Sequence, residues 1–196
     1  MKLILASTSP RRAEILRDAG IAFDVCAPHI EEARRPHEAA EKMVARLAEA
    51  KACAAAESAG EKLPAIIIGA DTAVELDGEI FGKPRDAADA SEMLSYLGGR
   101  THYVVTGIYV LRLPDGAARS AVETTAVTFA RLDQKEIDAY VASGEPFDKA
   151  GGYAIQGRAG RYIPRIEGCY FNVVGLPLAR LCALLCELGW RDDGPA

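Results

Sequence analysis

The sequence predicts an α/β fold in which a mixed, twisted sheet is flanked by helices. Short apolar runs alternate with helical patterns from the first residues onward, as is typical of this class. Further strand patterns meet at tight turns, so part of the sheet is expected to be antiparallel. No internal repeat, low-complexity block or linker interrupts the chain. We therefore expect a single domain over residues 1–190, followed by a short tail at 191–196.

The first elements are a buried strand at residues 2–6, a tight Ser-Thr-Ser turn and a helix. Ser9 is a suitable N-cap, Pro10 suits the first helical position, and Gly20 lies just beyond the predicted end of the helix at Ala19. A long helix follows within residues 36–60, with Gly60 beyond its end. Its apolar residues recur at helical spacing, and Lys51 falls on the same face. The apolar face comprises Ala40, Met43, Val44, Leu47 and Ala54.

In the middle of the chain, an unbroken apolar run at residues 65–70 predicts a buried strand that ends at Asp71. A hairpin then turns at Asp77 and Gly78, and a helix covers about 86–97.

The remaining pattern predicts a solvated antiparallel hairpin from strands at 101–113 and 118–132. A helix then opens with a capping box formed by Asp133 and Glu136. A glycine-rich segment precedes a strand at 162–166, and the last helix covers 173–189.

Composition excludes several classes of function. The net charge of -5 provides no broad basic surface, so we expect neither nucleic acid nor an anionic membrane as partner. No stretch approaches the roughly 20 apolar residues of a membrane span, and no leader pattern opens the chain, so a cytoplasmic location is expected. The five cysteines form no CxxC pair and are expected to be buried free thiols.

Hydrolase triads and zinc sites have little support in the sequence. No GxSxG motif occurs, and His29, His37 and His102 lack metal-ligand spacing, so each is expected at the surface. The string GEIFGKP is not a P-loop, because it is one residue short and has Pro84 where Ser or Thr should bind magnesium.

The segment STSPRR places two arginines in the first turn of a helix, where positive charge is disfavoured by up to about 1 kcal/mol. Arg11 and Arg12 could pair with Glu14 or Asp18 at the surface. Alternatively, guanidinium groups beside the N–H groups of a helix N-terminus form a phosphate site.

Four other charged positions fit the phosphate interpretation. Asp71 follows a buried strand, although aspartate is also a common turn residue. Lys51 could equally extend its ammonium group to solvent, and Lys83 could be an ordinary loop lysine. Glu32, with Glu31, could be a solvated acidic pair. Taken together, the carboxylates could hold magnesium or accept a proton from water, and the lysines could neutralise a leaving group. The residues alone therefore predict metal-assisted phosphoryl or nucleotidyl hydrolysis.

Seven strings along the chain, taken in order, resemble the Maf family of nucleoside triphosphate pyrophosphatases. They are ASTSPRR, IEE, LAEAKA, GADTAV, GKP, DKAGGYAIQG and NVVGLPL, and the resemblance as a whole spans Lys2 to about Leu188. The resemblance implies a fold related to inosine triphosphate pyrophosphatases, with two lobes around a deep cleft, and a homodimer. It also implies cleavage between the α and β phosphates with a divalent metal, magnesium first and manganese or cobalt as alternatives.

The same resemblance implies roles for individual residues. Asp71 matches the family's proton acceptor, which activates the attacking water. The positions that line the phosphate and metal cleft are Ser9, Arg12, Glu32, Lys51 and Lys83. Which of Asp71 and Glu32 is a metal ligand and which is the base stays open.

Substrate choice is implied by three further positions. Arg11, Thr72 and Gln156 resemble the branch that acts on dTTP and UTP, and the expected range includes CTP and modified pyrimidine nucleotides. An amide such as that of Gln156 can pair with the donor and acceptor edge of uracil or thymine. Three alternatives stay open: a 7-methyl-GTP pyrophosphatase of the same family, a phosphatase that releases orthophosphate, and a nucleotide-binding regulator of septum formation.

Overall fold

The structure is a computed structural model that describes residues 1–59 and 64–191. Gly60 and residues 192–196, on which two of the sequence predictions fall, lie outside this range. The described strands are β1 Lys2–Ala6, β2 Asp24–Cys26, β3 Ala65–Leu76, β4 Glu79–Phe81, β5 Thr101–Leu113, β6 Ala118–Thr128 and β7 Arg165–Glu167. The described α-helices are α1 Pro10–Asp18, α2 Ala40–Ala59, α3 Ala87–Leu97, α4 Gln134–Val141, α5 Tyr170–Val174 and α6 Leu178–Glu187.

The strands form one mixed sheet in the order β2-β1-β3-β5-β6-β7, and β4 pairs with β3. β1 is parallel to both of its neighbours, with Ile4 opposite Asp24 of β2 and Ile67 of β3. The β3–β4 and β6–β7 pairs are antiparallel. The predicted mixed sheet with flanking helices is therefore confirmed, while the three-residue strand β2 was not predicted.

Local signals in the sequence predicted several elements closely. Pro10 is the first residue of α1, and Gly20 follows that helix with a φ of +73° that glycine adopts without strain. Asp133 and Glu136 form both bonds of the predicted capping box of α4. The hairpin after β3 turns at Asp77 and Gly78, whose φ values of +55° and +80° are those of the primed turns that favour this pair.

The strand that carries Asp71 is longer than predicted. Residues 65–70 are fully buried, and the parallel pairing with β1 stops at Gly69. β3 nevertheless continues through Asp71 to Leu76, where it pairs with β4 in the hairpin. Asp71 therefore lies within a strand, just beyond its parallel section, instead of at a strand end.

Three other predictions of elements were wrong in detail. β5 is mostly buried, so the β5–β6 hairpin is not solvated on both strands. The strand predicted at 162–166 begins at Arg165, because Tyr162 belongs to a short 3₁₀ helix. The last predicted helix is two helices, α5 and α6, separated at residues 175–177. The physical reason is the glycine at position 175, whose φ of +124° cannot continue a helix.

The predictions for cysteine and histidine were partly wrong. All five cysteines are free, but none is buried; Cys26, Cys169 and Cys182 are half-buried and the other two are exposed. His102 is completely buried instead of lying at the surface, whereas the other two histidines are exposed as predicted.

Two compact units make up the chain. The first comprises Met1–Asp71, Thr106–Glu123 and Gly175–Ala196, and the second comprises Thr72–Val105 and Thr124–Val174. One apolar core cluster of the first unit includes Ile4, Ala52, Ala55, Ile67 and Leu113. The core of the second includes Val74, Phe81, Leu94, Val127 and Tyr140. No helix within residues 1–59 and 64–191 is long and apolar enough to cross a membrane.

Candidate active site

A buried lysine joins two carboxylates in the first unit. Lys51 donates a hydrogen bond of 2.6 Å from Nζ to Oδ1 of Asp71, and both residues are less than 10% exposed (7% and 8%). The same ammonium group lies 2.8 Å from Oε1 of Glu32, whose side chain is half-exposed. Three candidate residues that are separated along the chain therefore meet in one ionic cluster. The ammonium group of Lys51 is therefore buried and does not extend to solvent.

Close packing of helix α2 on the sheet brings Lys51 of the helix next to Asp71 of β3. A Cβ atom at Gly69 would lie 2.0 Å from the carbonyl oxygen of Ala48, so only glycine permits this approach. Gly69 and Asp71 lie on the same face of β3, because side chains alternate along a strand. Lys51 follows Ala48 by one helical turn and therefore faces Asp71. The apolar face of α2 accordingly includes Ala48 and Ala52, whereas Ala54, predicted to belong to it, is only half-buried.

Arg12 connects three segments of the first unit. Its Nη1 donates to the hydroxyl oxygen of Ser7 at 3.1 Å and to the carbonyl oxygen of Ala70 at 2.9 Å. Its Nε donates to the carbonyl oxygen of Gly175 at 2.8 Å. Arg12 is 7% exposed, and burial lowers its pKa, although the nearby carboxylates of Asp71 and Glu32 act in the opposite direction. These bonds fasten the backbone that immediately precedes Asp71.

The turn before α1 contains one residue that the sequence analysis did not single out. Ser7 is buried, accepts a bond from Arg12 and also accepts one of 3.2 Å from the backbone N–H of Ser9. Ser9 occupies the N-cap position of α1, but its side chain makes no capping bond, so its hydroxyl is not committed to the helix. Arg11 is half-buried, and its charge contributes to the lowered pKa of Arg12. Only the Ser-Thr-Ser turn itself could have indicated Ser7.

The remaining candidate residues belong to the second unit. Thr72 directly follows Asp71 along β3 and is half-buried, while Lys83 and Gln156 are exposed. The segments that carry the latter two are joined, because the backbone N–H of Gly151 donates to the carbonyl oxygen of Gly82 at 3.0 Å.

The two carboxylates of the cluster can contribute to a cation site. Within residues 1–59 and 64–191, no three His, Cys, Asp or Glu side chains come together as a metal site. Asp71 and Glu32 nevertheless converge on one position that already attracts the ammonium group of Lys51. A magnesium ion is commonly held by one or two carboxylates, with phosphate oxygens and water as its other ligands. The residues present therefore fit a metal bound together with a polyphosphate.

Two solved structures share the fold. The Staphylococcus aureus Ham1 protein is similar with a TM-score of 0.51 at 16% identity, and the match covers 96% of this chain and 100% of that one. A HAM1 protein from Coxiella burnetii has a TM-score of 0.50 at 21% identity, covering 95% and 99%. At these identities the likeness concerns the fold alone.

Curated relatives are much closer in sequence. A dTTP/UTP pyrophosphatase of Symbiobacterium thermophilum is 47% identical over 190 residues, covering 96% of this chain and 95% of the relative. Proteins of the same name from Geotalea uraniireducens and Salmonella typhimurium are 50% and 48% identical, and each match covers at least 95% of both chains. The family model described as Maf-like protein matches residues 2–188. The chain therefore belongs to the Maf-like protein family.

Proposed function

We propose that this chain hydrolyses dTTP and UTP to the nucleoside monophosphate and pyrophosphate. The observation that carries the proposal is the buried Asp71, which Lys51 holds at 2.6 Å beside Glu32. A buried carboxylate that a neighbouring ammonium group fixes in position can accept a proton from a water molecule bound beside it. The relatives at 47–50% identity, which are named dTTP/UTP pyrophosphatases, support the choice of reaction and substrate.

In the proposed reaction, Asp71 accepts a proton from a water molecule whose oxygen attacks the α phosphorus. The bond from that phosphorus to the oxygen bridging to the β phosphate breaks, and pyrophosphate leaves with the bond's electron pair. Lys51 and Lys83 neutralise the charge that develops on the leaving group. Ser9, Arg11 and Arg12 bind phosphate oxygens at the start of α1, where unpaired N–H groups favour an anion.

The proposal includes a divalent metal, magnesium in the first place and manganese or cobalt as substitutes. Asp71 and Glu32 would hold it, and the ion would neutralise phosphate oxygens and polarise the phosphorus centre. A cytoplasmic location, which rests on the residue patterns of the sequence, is also part of the proposal. So is a homodimer, which rests on the family resemblance alone.

Base selection is assigned to Gln156 and Thr72 of the second unit and to Arg11 of the first. Gln156 is exposed on the glycine-rich segment, where its amide is available to pair with the polar edge of uracil or thymine. Thr72 and Arg11 are the other two positions at which the chain resembles the pyrimidine-specific branch. No observation favours 7-methyl-GTP as substrate.

The test is product analysis with magnesium and, separately, dTTP, UTP, GTP and 7-methyl-GTP. We expect pyrophosphate and monophosphate from dTTP and UTP, and loss of both products in an Asp71→Asn variant. Orthophosphate as the first product would show that a different phosphorus is attacked. Selective turnover of 7-methyl-GTP would overturn the substrate assignment, and tight nucleotide binding without turnover would favour a regulator.

A further inference from the structure

Glu32 lies on neither a helix nor a strand, although its carboxylate meets the buried Lys51–Asp71 pair. Ordering one residue of irregular chain costs about 1–2 kcal/mol. A half-exposed ion pair contributes only about 0–1 kcal/mol to the free energy of unfolding. The bond to Lys51 is therefore insufficient to hold the segment in place, and further contacts must fix it.

The contacts are found six residues further along the chain. Arg46 of α2 grips Glu38 with two parallel bonds, 2.7 Å from Nε to Oε1 and 2.6 Å from Nη2 to Oε2. The side chains of Arg46 and Glu38 are 22% and 9% exposed. Planar two-point pairing of this kind is among the most directional ionic contacts in proteins. The bond from Arg46 lowers the pKa of Glu38 to about 2, so the pair is charged at neutral pH.

The same two residues also hold the backbone of the segment. Nη2 of Arg46 donates a hydrogen bond of 3.1 Å to the carbonyl oxygen of Ala33, the residue next to Glu32. Oε2 of Glu38 accepts a bond of 3.0 Å from the backbone N–H of Arg35. The guanidinium group of Arg34 donates twice to the carbonyl oxygen of Glu38, at 3.2 and 3.1 Å. Hydrogen bonds among these residues and with Arg46 thus fix residues 33–38 against the first half of α2.

Helix α2 supplies two of the contacts that fix Glu32 and the residue next to it. Arg46 and Lys51 are five residues apart on this helix, which corresponds to a rise of about 7.5 Å. One end of this span holds the carbonyl of Ala33, and the other holds the carboxylate of Glu32. Two contacts from one rigid element therefore contribute to the position of Glu32 relative to Asp71.

We propose that Arg46 and Glu38 form a clamp that positions Glu32 beside Lys51 and Asp71 for the reaction. Both are positioning residues, because the contacts described place neither on the reacting atoms. This inference rests on the proposed function in one respect, namely that Glu32 takes part in the reaction. If the clamp acts through Glu32, removing the clamp should lower the activity of a protein that has Glu32 but not of a variant that lacks it.

A double-mutant cycle tests that dependence. Rates of pyrophosphate release from dTTP are measured for the wild type, Arg46→Gln, Glu32→Gln and the double variant. We expect each single substitution to lower kcat about tenfold or more, since small misplacements of catalytic groups have effects of this size. The double variant should match Glu32→Gln within about twofold. The proposal would be overturned if the fold loss of kcat in the double variant equalled the product of the fold losses in the two single variants.

A matched control exists within the same unit. Arg112 also makes a forked contact to a carboxylate, that of Asp115, and also donates to a backbone carbonyl, that of Leu188 at 2.8 Å. Arg112→Gln therefore removes the same type of bonds without touching the segment that carries Glu32. We expect this variant to keep kcat within about twofold of the wild type. An equal loss in both variants would mean that Arg46 has a merely structural role.

Hydrogen exchange provides a readout that does not depend on activity. In Arg46→Gln, peptides covering residues 30–38 should exchange faster, while peptides from β1 and β3 should be unchanged. Unchanged exchange at residues 30–38 would overturn the clamp even if the enzyme is active. Failure of the proposed function would appear separately, as a wild type that releases no pyrophosphate.

Discussion

Among single side chains, His102 shows how strongly the surroundings decide a residue's chemistry. Its Nε2 lies 2.7 Å from the hydroxyl oxygen of Tyr153, and its ring packs edge-on against Phe129 at 5.1 Å. Its Nδ1 has no hydrogen-bond partner among the described residues. Burial lowers the pKa of His102 to about 4, from an ordinary value of 6.5. The side chain is therefore neutral in the folded protein at neutral pH.

This pKa shift predicts acid sensitivity. In the unfolded chain His102 binds a proton near its ordinary pKa, whereas the folded protein resists protonation down to about pH 4. The contribution to stability is therefore complete above pH 6.5 and decreases as the pH falls from 6.5 to 4. At about 1.4 kcal/mol for each unit of pKa shift, we expect a loss of about 2 kcal/mol in the free energy of unfolding between pH 7 and pH 5.

The comparison variant is His102→Gln, which can still bond to Tyr153 but does not titrate. Urea unfolding at pH 7 and pH 5 should show a smaller pH dependence in the variant than in the wild type, by about 2 kcal/mol. Equal pH dependence in both proteins would contradict the assignment of this acid sensitivity to His102.

Among elements, the contact between α2 and the sheet has the clearest consequence. A Cβ atom at Gly107 of β5 would lie 2.4 Å from the carbonyl oxygen of Val44, just as one at Gly69 of β3 would meet Ala48. Glycines of two strands, β3 and β5, thus allow the backbone of α2 to approach the sheet closely at two successive helical turns. This proximity, and not the length of the lysine side chain alone, brings Lys51 within bonding distance of Asp71.

We therefore expect Gly69→Ala to move α2 away from the sheet. The new methyl group meets a backbone oxygen that has no rotamer to relieve the clash, and overpacking of this kind costs about 1–3 kcal/mol. Since the displaced helix carries Lys51, kcat should fall as well. Urea unfolding and the pyrophosphate assay measure the two effects.

Gly82→Ala is the control for this prediction, because a Cβ atom at Gly82 would meet nothing within 4 Å and its φ is not in the left-handed region. It should unfold like the wild type. If Gly69→Ala were as stable and active as Gly82→Ala, the packing account would be wrong.

For the whole molecule, nucleotide binding should be visible as stabilisation, because a ligand that binds only the folded state shifts the unfolding equilibrium. The Asp71→Asn variant, which we expect to bind without turnover, suits this measurement. At a concentration of 100 times Kd, dTTP with magnesium should add about 2.7 kcal/mol. For a chain of this length, that corresponds to an increase in Tm of about 5–10 °C.

Thermal unfolding of Asp71→Asn with equal concentrations of dTTP, UTP, GTP and 7-methyl-GTP checks this expectation. The two pyrimidine nucleotides should raise Tm more than the two guanine nucleotides do. Adding Gln156→Ala to the variant should reduce the difference if this amide reads the base. An equal shift with all four nucleotides would contradict pyrimidine selection.

The sequence by itself determined the elements whose stabilising contacts are local. The proline and glycine around α1, the Asp77–Gly78 turn and the capping box of α4 each act within a few residues, so their residue types are sufficient. The order of these elements, together with the seven family strings, was enough to predict the mixed α/β fold. Charge and position in the sequence singled out Asp71, Lys51 and Glu32, and the family strings implied their roles. The structure brings these three residues into one cluster.

Only the tertiary structure decided contacts between distant residues. Arg12 bonds to a carbonyl group 163 positions away, and His102 bonds to a hydroxyl group 51 positions away. No periodicity or motif encodes such distances, because they depend on how the chain packs. The continuation of β3 past Asp71 likewise depends on its pairing with β4. Residue type therefore specified which groups could react, and packing specified which of them are buried, charged and in contact.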